Sequence, residues 1–435
     1  MNRSIARVAA VAGAVALVLA ACSSGESGDD TTESGTASET TDGGDASGEG
    51  GVLHIGTLLP VTGSLAQLGP PEIAGVDLAV AEINEAGGVF GSDVEVTHTD
   101  SSDTENAAVA TESSQNLISS GVHAVIGAAS SGVTFNVIDD ITGAGIVQIS
   151  PANTATDLSG YSDFYFRTAP PDTVQGDALA NLMIADGAAN VATIVFNDPY
   201  GTSLRDVVEG VVTEAGGSLV YGAEGSEFDP NETNYSSIVA DTIASGPDAI
   251  AIIAFTTQTP LIVRELVAQG WDMSTVYFVD GNLQNFGTEG DIGFPEGTLD
   301  GAKATLPGAF PTADFQERLA TVNANLNDYS YAAESYDATM LAALAALKGG
   351  EASGEAIQAN MAAVSGVDGG TECTGWVECS ELIEAGDDIS YQAVSGVGPF
   401  NEANDPSSAA IGIYQFGPSN EYEFVESVQG EVPSS

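Results

Sequence analysis

The stretch "VIGAASSGVTFNVIDDITGAG", residues 125–145, contains the pattern that decides the fold. A short apolar run rich in β-branched residues ends in a loop of Gly, Ala and Ser, and an amphipathic helical stretch follows directly. The same order of strand, loop and helix recurs before and after it along the chain. Alternation of this kind predicts an α/β protein with a parallel sheet that has helices on both faces.

The alternation occurs twice. One unit begins with "VLHIGTLLP" (52–60), and a second begins with "NVATIVFND" (190–198). After about residue 303 the pattern is mostly helical, and "GVGPFNEANDPSSAAIGIYQFG" (396–417) is typical of a hairpin. Two similar units in one chain predict two lobes, each with its own core.

The N-terminus is typical of an export signal. Two arginines precede an apolar run that is too short to span a membrane. The run closes with "LAAC", which resembles the bacterial lipobox, so residues 1–21 are expected to be a lipoprotein signal peptide and Cys22 the lipidated residue. An ordinary signal peptide with a chance cysteine is the alternative. Residues 22–50, nearly all Gly, Ser, Thr and acidic, are expected to be a disordered tether.

The charge balance narrows the choice of partners. The chain of 435 residues has 8 basic and 62 acidic side chains and a net charge of −54. Such a surface repels nucleic acid and anionic lipid headgroups, so nucleic acid is not expected as a partner. The tether and anchor would instead hold the body at the extracytoplasmic face of the cell membrane. The acidic excess is compatible with saline surroundings.

Two further cysteines lie close together in the exported part of the chain. Cys373 and Cys379 occur in "GTECTGWVECSEL". In an oxidising compartment such a pair is expected to form a disulfide that closes a small loop. A metal site is the alternative, but it would need two more ligands nearby, and this region has no histidine.

The loops that follow strands are the expected ligand-binding positions, because ligands bind beyond the carboxyl ends of parallel strands. Ser130 and Ser131 lie where a helix should begin, and a helix start with small side chains is an anion site. The alternative for Ser131 is a simple helix cap. The next such loop offers Thr154. The second unit contributes Tyr200 and Asp280. Together the two units suit a zwitterion, because the hydroxyl and N–H groups of the first unit can bind a carboxylate and the Asp280 carboxylate can bind an ammonium.

With these residues the chain resembles the bacterial extracellular solute-binding proteins of the leucine/isoleucine/valine-binding type, which feed ABC importers. The resemblance covers roughly residues 51–425. It rests on an ordered set of motifs: "IGTLLPVTGSLAQLG" (55–69), "AEINEAGGVFG" (81–91), "VIGAASSGVT" (125–134), "ISPANTATDLS" (149–159), "NDPYGTSL" (197–204) and "VDGN" (279–282).

The resemblance implies a type I periplasmic binding fold, in which two Rossmann-like lobes joined by three crossover segments close on a ligand. Lobe 1 would comprise residues 51–170 and 303–397, and lobe 2 residues 171–302 and 398–427. Partners would be an amino-acid-like ligand and ABC permease subunits, with the protein itself a monomer.

The resemblance also assigns roles to single residues. Ser131 and Thr154, with backbone groups of Ala129 and Ala152, would hold the ligand α-carboxylate. Asp280 would bind the α-ammonium, where many members have Glu, and Tyr200 would pack on the ligand. Leu68 stands where some members place an aromatic side chain, a departure that bears on specificity.

The sequence contains little that indicates an enzyme. The nucleophile-elbow pattern fails because Ala128 stands where its first glycine is needed. His54, His98 and His123 lack the spacing of a zinc site, and a phosphate loop with Gly-Lys-Ser/Thr is absent from the sequence. No catalytic residue, metal or cofactor is therefore expected. Other open alternatives are a binding protein for amides, urea or other small acids, a sensory ligand-binding module and, last, a secreted hydrolase.

Overall fold

The computed structural model describes residues 50–433. The predicted signal peptide, nearly all of the predicted tether and Cys22 lie outside the described residues. Three helices alternate with the first strands: α1 (Gly69–Glu85), α2 (Ala107–Ser120) and α3 (Ser131–Gly143). The five strands are β1 (His54–Leu59), β2 (Glu95–Asp100), β3 (Ala124–Gly127), β4 (Val147–Ser150) and β5 (Tyr165–Arg167). They form one fully parallel sheet in the order β2-β1-β3-β4-β5.

A second sheet has seven strands and mixed direction. The remaining strands are β6 (Asn190–Val195), β7 (Ser218–Tyr221), β8 (Ala249–Ile253), β9 (Val276–Phe278), β10 (Lys303–Pro307), β11 (Thr371–Cys373), β12 (Ile389–Tyr391), β13 (Ser408–Phe416) and β14 (Tyr422–Glu431). The second sheet has the order β14-β13-β10-β9-β8-β6-β7. Its last two strands form an antiparallel hairpin on one edge, while β11 and β12 pair separately.

The other helices cover these sheets. They are α4 (Asp172–Ala185), α5 (Pro199–Glu214), α6 (Ser236–Ala244), α7 (Thr259–Ala268), α8 (Ala313–Val322), α9 (Ala332–Gly349), α10 (Gly354–Ser365) and α11 (Gly375–Ala385). Helices α4 to α7 pack on the second sheet, whereas α8, α9 and α10 return to α1 and the first sheet. The β8 strand is buried along its whole length, as expected for a parallel strand covered on both faces.

The chain therefore passes between the two sheets three times: between β5 and α4, between β10 and α8, and between β12 and β13. The predicted fold class, two α/β lobes joined by three crossover segments, is confirmed. One boundary moves. Lys303–Pro307 was expected in lobe 1, but it pairs with β9 and β13 in the second sheet. An alternating pattern identifies a strand without saying which sheet it joins.

The predicted disulfide is present. Cys373 at the end of β11 is bonded to Cys379 in α11, and both residues are buried. Within residues 50–433, no cluster of three or more His, Cys, Asp or Glu side chains is placed to hold a metal ion. In the same range, no helix combines the length and apolar character that crossing a membrane requires.

A buried ion pair ties the third crossover segment to lobe 1. The guanidinium of Arg167, at the end of β5, donates to the carboxylate of Asp405, and the two side chains are 0% and 3% exposed. Arg167 also donates to the carbonyl of Ala155 (2.8 Å) and to the hydroxyl of Ser159 (2.6 Å). These bonds satisfy a charge that would otherwise be costly to bury.

We expect Asp405→Ala to lower the free energy of unfolding by ~3–5 kcal/mol, because Arg167 would stay buried without a counter-charge. Chemical denaturation followed by circular dichroism measures the loss. The matched control is Asp388→Ala, which removes a carboxylate that pairs with Lys348 and is 82% exposed; it should cause no measurable change. Equal losses in the two variants would contradict this role for Asp405.

Candidate ligand-binding site

The loops after strands of both sheets meet in a cavity between the lobes. In the closed arrangement its walls lie close together and enclose little free space. The lining residues come from both lobes and are Leu65, Leu68, Ala129, Ser130, Ser131, Ala152, Tyr200, Phe255, Asp280, Gly281 and Tyr331. Room for a ligand would therefore require the lobes to move apart.

The wall from lobe 1 is built on the first turn of α3. The hydroxyl of Ser130 caps this helix by accepting a hydrogen bond from the backbone N–H of Val133 (3.3 Å). The cap is thus Ser130, and the hydroxyl of Ser131 is left to accept from the backbone N–H of Ala155 (3.3 Å). As the first residues of the helix, Ser131 and Gly132 have backbone N–H groups with no partner inside it. This wall therefore offers hydrogen-bond donors and the positive end of a helix dipole.

The wall from lobe 2 is centred on Asp280, which follows β9 and is 5% exposed. Its Oδ1 accepts from the hydroxyl of Tyr200 (2.6 Å) and the side-chain amide of Gln175 (2.8 Å). Its Oδ2 accepts from the hydroxyl of Tyr331 (2.7 Å). Burial raises the pKa of Asp280 above its usual value, although these three hydrogen bonds act in the opposite direction.

Tyr331 joins the two walls. It precedes α9, a helix of lobe 1, and its hydroxyl reaches across to Asp280 of lobe 2. Its backbone has φ +59°, a conformation that is costly for a bulky side chain. Other bonds also cross the cleft: Thr256 donates to the carbonyl of Ser64 (2.7 Å), and the backbone N–H of Thr156 donates to Ser203 (2.9 Å). The lobes are therefore in contact, in a closed arrangement.

Apolar side chains form the rest of the cavity. The rings of Tyr200 and Phe255 stack with centroids 5.6 Å apart and planes 8° from parallel. Leu65 and Leu68 come from the loop between β1 and α1, and each is 3% exposed. Together they make a surface that suits an aliphatic or flat apolar group.

Six of the seven residues proposed from the sequence lie together in this cavity: Leu68, Ala129, Ser131, Ala152, Tyr200 and Asp280. Thr154 does not line it. Its buried hydroxyl lies beside the carboxyl of Asp172 at the start of α4. Sequence reasoning missed Gln175, Tyr331, Phe255 and Leu65. Phe255 follows β8 and obeys the rule for loops after strands. Gln175 lies in α4 and Tyr331 lies just before α9, and no local pattern marks either of them.

Two more carboxyls are buried where the lobes meet. Burial raises the pKa of Asp172 to about 7, opposed by hydroxyl groups of Thr154 and Ser203. Burial likewise raises the pKa of Asp198, the cap of α5, to about 7, opposed by the backbone N–H of Tyr200. Each of these carboxyls therefore binds a proton more readily than one in water does.

Comparison with known proteins identifies the family. A family model described as periplasmic binding protein matches residues 52–379, so the chain belongs to that family. The chain is 28% identical over 367 residues to BasB of Halobacterium salinarum, named a chemotactic signal transduction system substrate-binding protein. That alignment covers 81% of this chain and 84% of BasB. A leucine-, isoleucine-, valine-, threonine- and alanine-binding protein of Pseudomonas aeruginosa is 28% identical over 59% of this chain and 67% of its own length.

Solved structures share the fold. The leucine binding protein LivK of Thermotoga maritima superimposes with a TM-score of 0.71 at 20% identity, covering 87% of this chain and 99% of its own. LivJ of Streptococcus pneumoniae, solved with isoleucine, has a TM-score of 0.69 at 22% identity and covers 87% of this chain and 100% of its own. The family is one of solute-binding proteins that act outside the cytoplasm.

The buried carboxyls predict that closure depends on pH. Opening returns Asp172 and Asp198 to water, where their pKa is near its ordinary value, so the closed arrangement binds more protons. The closed fraction should fall as pH rises through about 7. Small-angle scattering of the full chain should give a smaller radius of gyration at about pH 6 than at about pH 8.

The variant Asp198→Asn should reduce this difference, and the double variant with Asp172→Asn should remove it. A radius of gyration in the double variant that still changes with pH as in the original chain would show that other groups control closure.

Proposed function

We propose that this chain is an extracytoplasmic binding protein for an amino acid, branched-chain or similar, which it captures by lobe closure and delivers to an ABC importer. One observation carries the proposal. Asp280 is a buried carboxylate that faces a small cavity opposite the N-terminus of α3. The two walls have opposite electrostatic character, and a zwitterion matches both.

Asp280 lacks a cationic partner among the described residues. Its hydrogen bonds come from two tyrosine hydroxyls and an amide. Such neutral donors compensate a buried charge only in part, which agrees with the raised pKa of Asp280. A ligand ammonium at Oδ2, which accepts only the bond from Tyr331 among the described residues, would supply the missing charge.

The ligand carboxylate would lie at the opposite wall. The free N–H groups at the first turn of α3 and the hydroxyl of Ser131 can bind an anion without Arg or Lys. The small side chains of Ala129 and Ala152 allow close approach to the backbone. The family resemblance also assigned Thr154 to the ligand carboxylate, but the proposed carboxylate site does not need that residue.

The apolar part of the cavity supports an aliphatic ligand side chain. Leu65, Leu68 and the stacked rings of Tyr200 and Phe255 offer an apolar surface. The Pseudomonas relative is named for binding leucine, isoleucine, valine, threonine and alanine. A fold neighbour from R. palustris was solved with 4-hydroxybenzoate. An aromatic acid of that kind has no ammonium for Asp280, so the geometry favours an amino acid.

In the proposed cycle the open lobes admit the ligand, and its carboxylate binds lobe 1 first. Lobe 2 then closes and adds Asp280 and Tyr200, so the ligand stabilises the closed arrangement through contacts that exist only there. A lipid anchor at Cys22 and the tether of residues 22–50 would keep the body beside the permease at the cell membrane.

Calorimetric titration of the full chain with leucine tests the site. We expect Asp280→Asn to weaken binding ~30-fold or more, because the ammonium would be buried without a counter-charge. Ser131→Ala should weaken it about tenfold, through one hydrogen bond to a carboxylate. The matched control is Asp314→Asn, an 83% exposed carboxylate that should leave affinity unchanged. Leucinamide should bind far more weakly than leucine.

Unchanged leucine affinity in both Asp280→Asn and Ser131→Ala would refute the site assignment. Binding of amides or urea but not of amino acids would retain a binding protein and overturn the roles of Ser131 and Asp280.

A second candidate function is sensory. BasB, to which the chain is similar over most of its length, is named as part of a chemotactic signal transduction system. Such a module would report the same ligand to a membrane receptor instead of a permease. Deleting the gene separates the two functions: an importer component predicts a severalfold loss of labelled leucine uptake. Unchanged uptake with a lost chemotactic response to leucine would instead support the sensor.

A further inference from the structure

A second cavity shares Tyr331 as a lining residue with the ligand site. Its volume is about 180 Å³, more free space than the ligand cavity encloses. It is lined by residues 306–311 at the end of β10 and the start of the second crossover segment, by residues 327–331, 333 and 334 before and within α9, and by Tyr414 and Tyr422 of the hairpin. Both lobes therefore contribute to its wall.

The cavity contains a buried carboxyl group that has no basic side chain beside it. Glu334, in the first turn of α9, lines it and is only 3% exposed. Its carboxylate accepts no hydrogen bond from any other residue in the range 50–433. Two other buried carboxyls lie near it, Glu72 of α1 and Asp337 of α9, and Glu334 and each of these groups disfavour one another's ionised form. Burial raises the pKa of Glu334 well above its usual value.

None of the basic side chains in residues 50–433 is available to pair with Glu334. Each lysine and arginine there contacts an oxygen elsewhere: Arg167 with Asp405, Arg205 with Glu227, Arg264 with the carbonyl of Asp291, Lys303 with Asp186, Arg318 with Glu82 and Lys348 with Asp388. Glu334 is therefore neutralised by a proton, as its raised pKa indicates, unless a cation from solution binds beside it.

The walls around Glu334 are aromatic. Tyr414 and Tyr422 pack edge to face with ring centroids 5.4 Å apart, and Phe310 is 46% exposed at the rim. Asp328 provides a second carboxylate, held by the hydroxyl of Tyr422 (3.2 Å) and the backbone N–H of Ser330 (2.8 Å). Aromatic faces together with carboxylates bind alkylammonium groups, through cation–π attraction and charge.

We propose that this second cavity binds a small organic ammonium ion, with Glu334 as its counter-charge, Asp328 as a second carboxylate and the tyrosine rings as its walls. The site is separate from the amino acid site and does not depend on that proposal. Because both lobes line the cavity, a bound cation would favour the closed arrangement.

Calorimetric titration of the full chain with tetramethylammonium chloride tests the site, with sodium chloride added to keep ionic strength constant. We expect saturable binding with one ion per chain. Glu334→Gln should weaken it about tenfold or more, and Asp328→Asn should weaken it severalfold. The matched control is Glu381→Gln, which neutralises an exposed carboxylate on the same lobe and should leave binding unchanged.

Lack of saturable binding, or equal affinity in Glu334→Gln and the original chain, would overturn the proposal. So would saturable binding of sodium that tetramethylammonium does not displace, because the site would then be one for an inorganic ion. Circular dichroism checks that Glu334→Gln folds. If Glu334→Gln does not fold, Asp328→Asn becomes the deciding variant. Unchanged tetramethylammonium affinity in Asp328→Asn would then overturn the proposal.

Discussion

A buried carboxylate held by hydroxyls from both lobes is the interaction on which the rest of this structure depends. Asp280 of lobe 2 accepts from Tyr200 of its own lobe and from Tyr331 of the other. Neutral donors keep it in place without cancelling its charge. The closed cleft thus combines the carboxyl of Asp280 with the positive end of α3, and under the proposed function this pair of walls would select a ligand that has both charges. The strained backbone of Tyr331 is compatible with a side chain whose position serves this contact.

Much of the fold follows from the sequence, because alternating strands and helices require a parallel sheet. The rule that ligands bind after strands indicated Ser131, Tyr200 and Asp280, and the family resemblance added Leu68, Ala129 and Ala152; all six line one cavity. The failures have physical causes. The strand at residues 303–307 pairs with a sheet that its own pattern does not identify. Gln175 lies in α4 and Tyr331 just before α9, so tertiary packing alone places them at the site.

The extreme charge balance has a structural consequence inside the protein. With so few basic residues, every lysine and arginine of the described chain is engaged in one contact or another. Buried carboxyls such as Asp280, Asp172 and Glu334 must then be neutralised by a proton, by hydrogen bonds or by a cation from solution. The same shortage favours an anion site made of backbone N–H groups and a serine hydroxyl, where another protein would use arginine. Both proposed sites follow from this constraint.

The central claim is that one amino acid bridges the two lobes, with its ammonium at Asp280 and its carboxylate at α3. A crystal structure of the chain grown with leucine tests it most directly. The account predicts the leucine nitrogen within hydrogen-bond distance of a carboxylate oxygen of Asp280, and the leucine carboxylate at Ser131 and the first N–H groups of α3. Leucine bound in the reverse orientation, or bound outside this cavity, would contradict it.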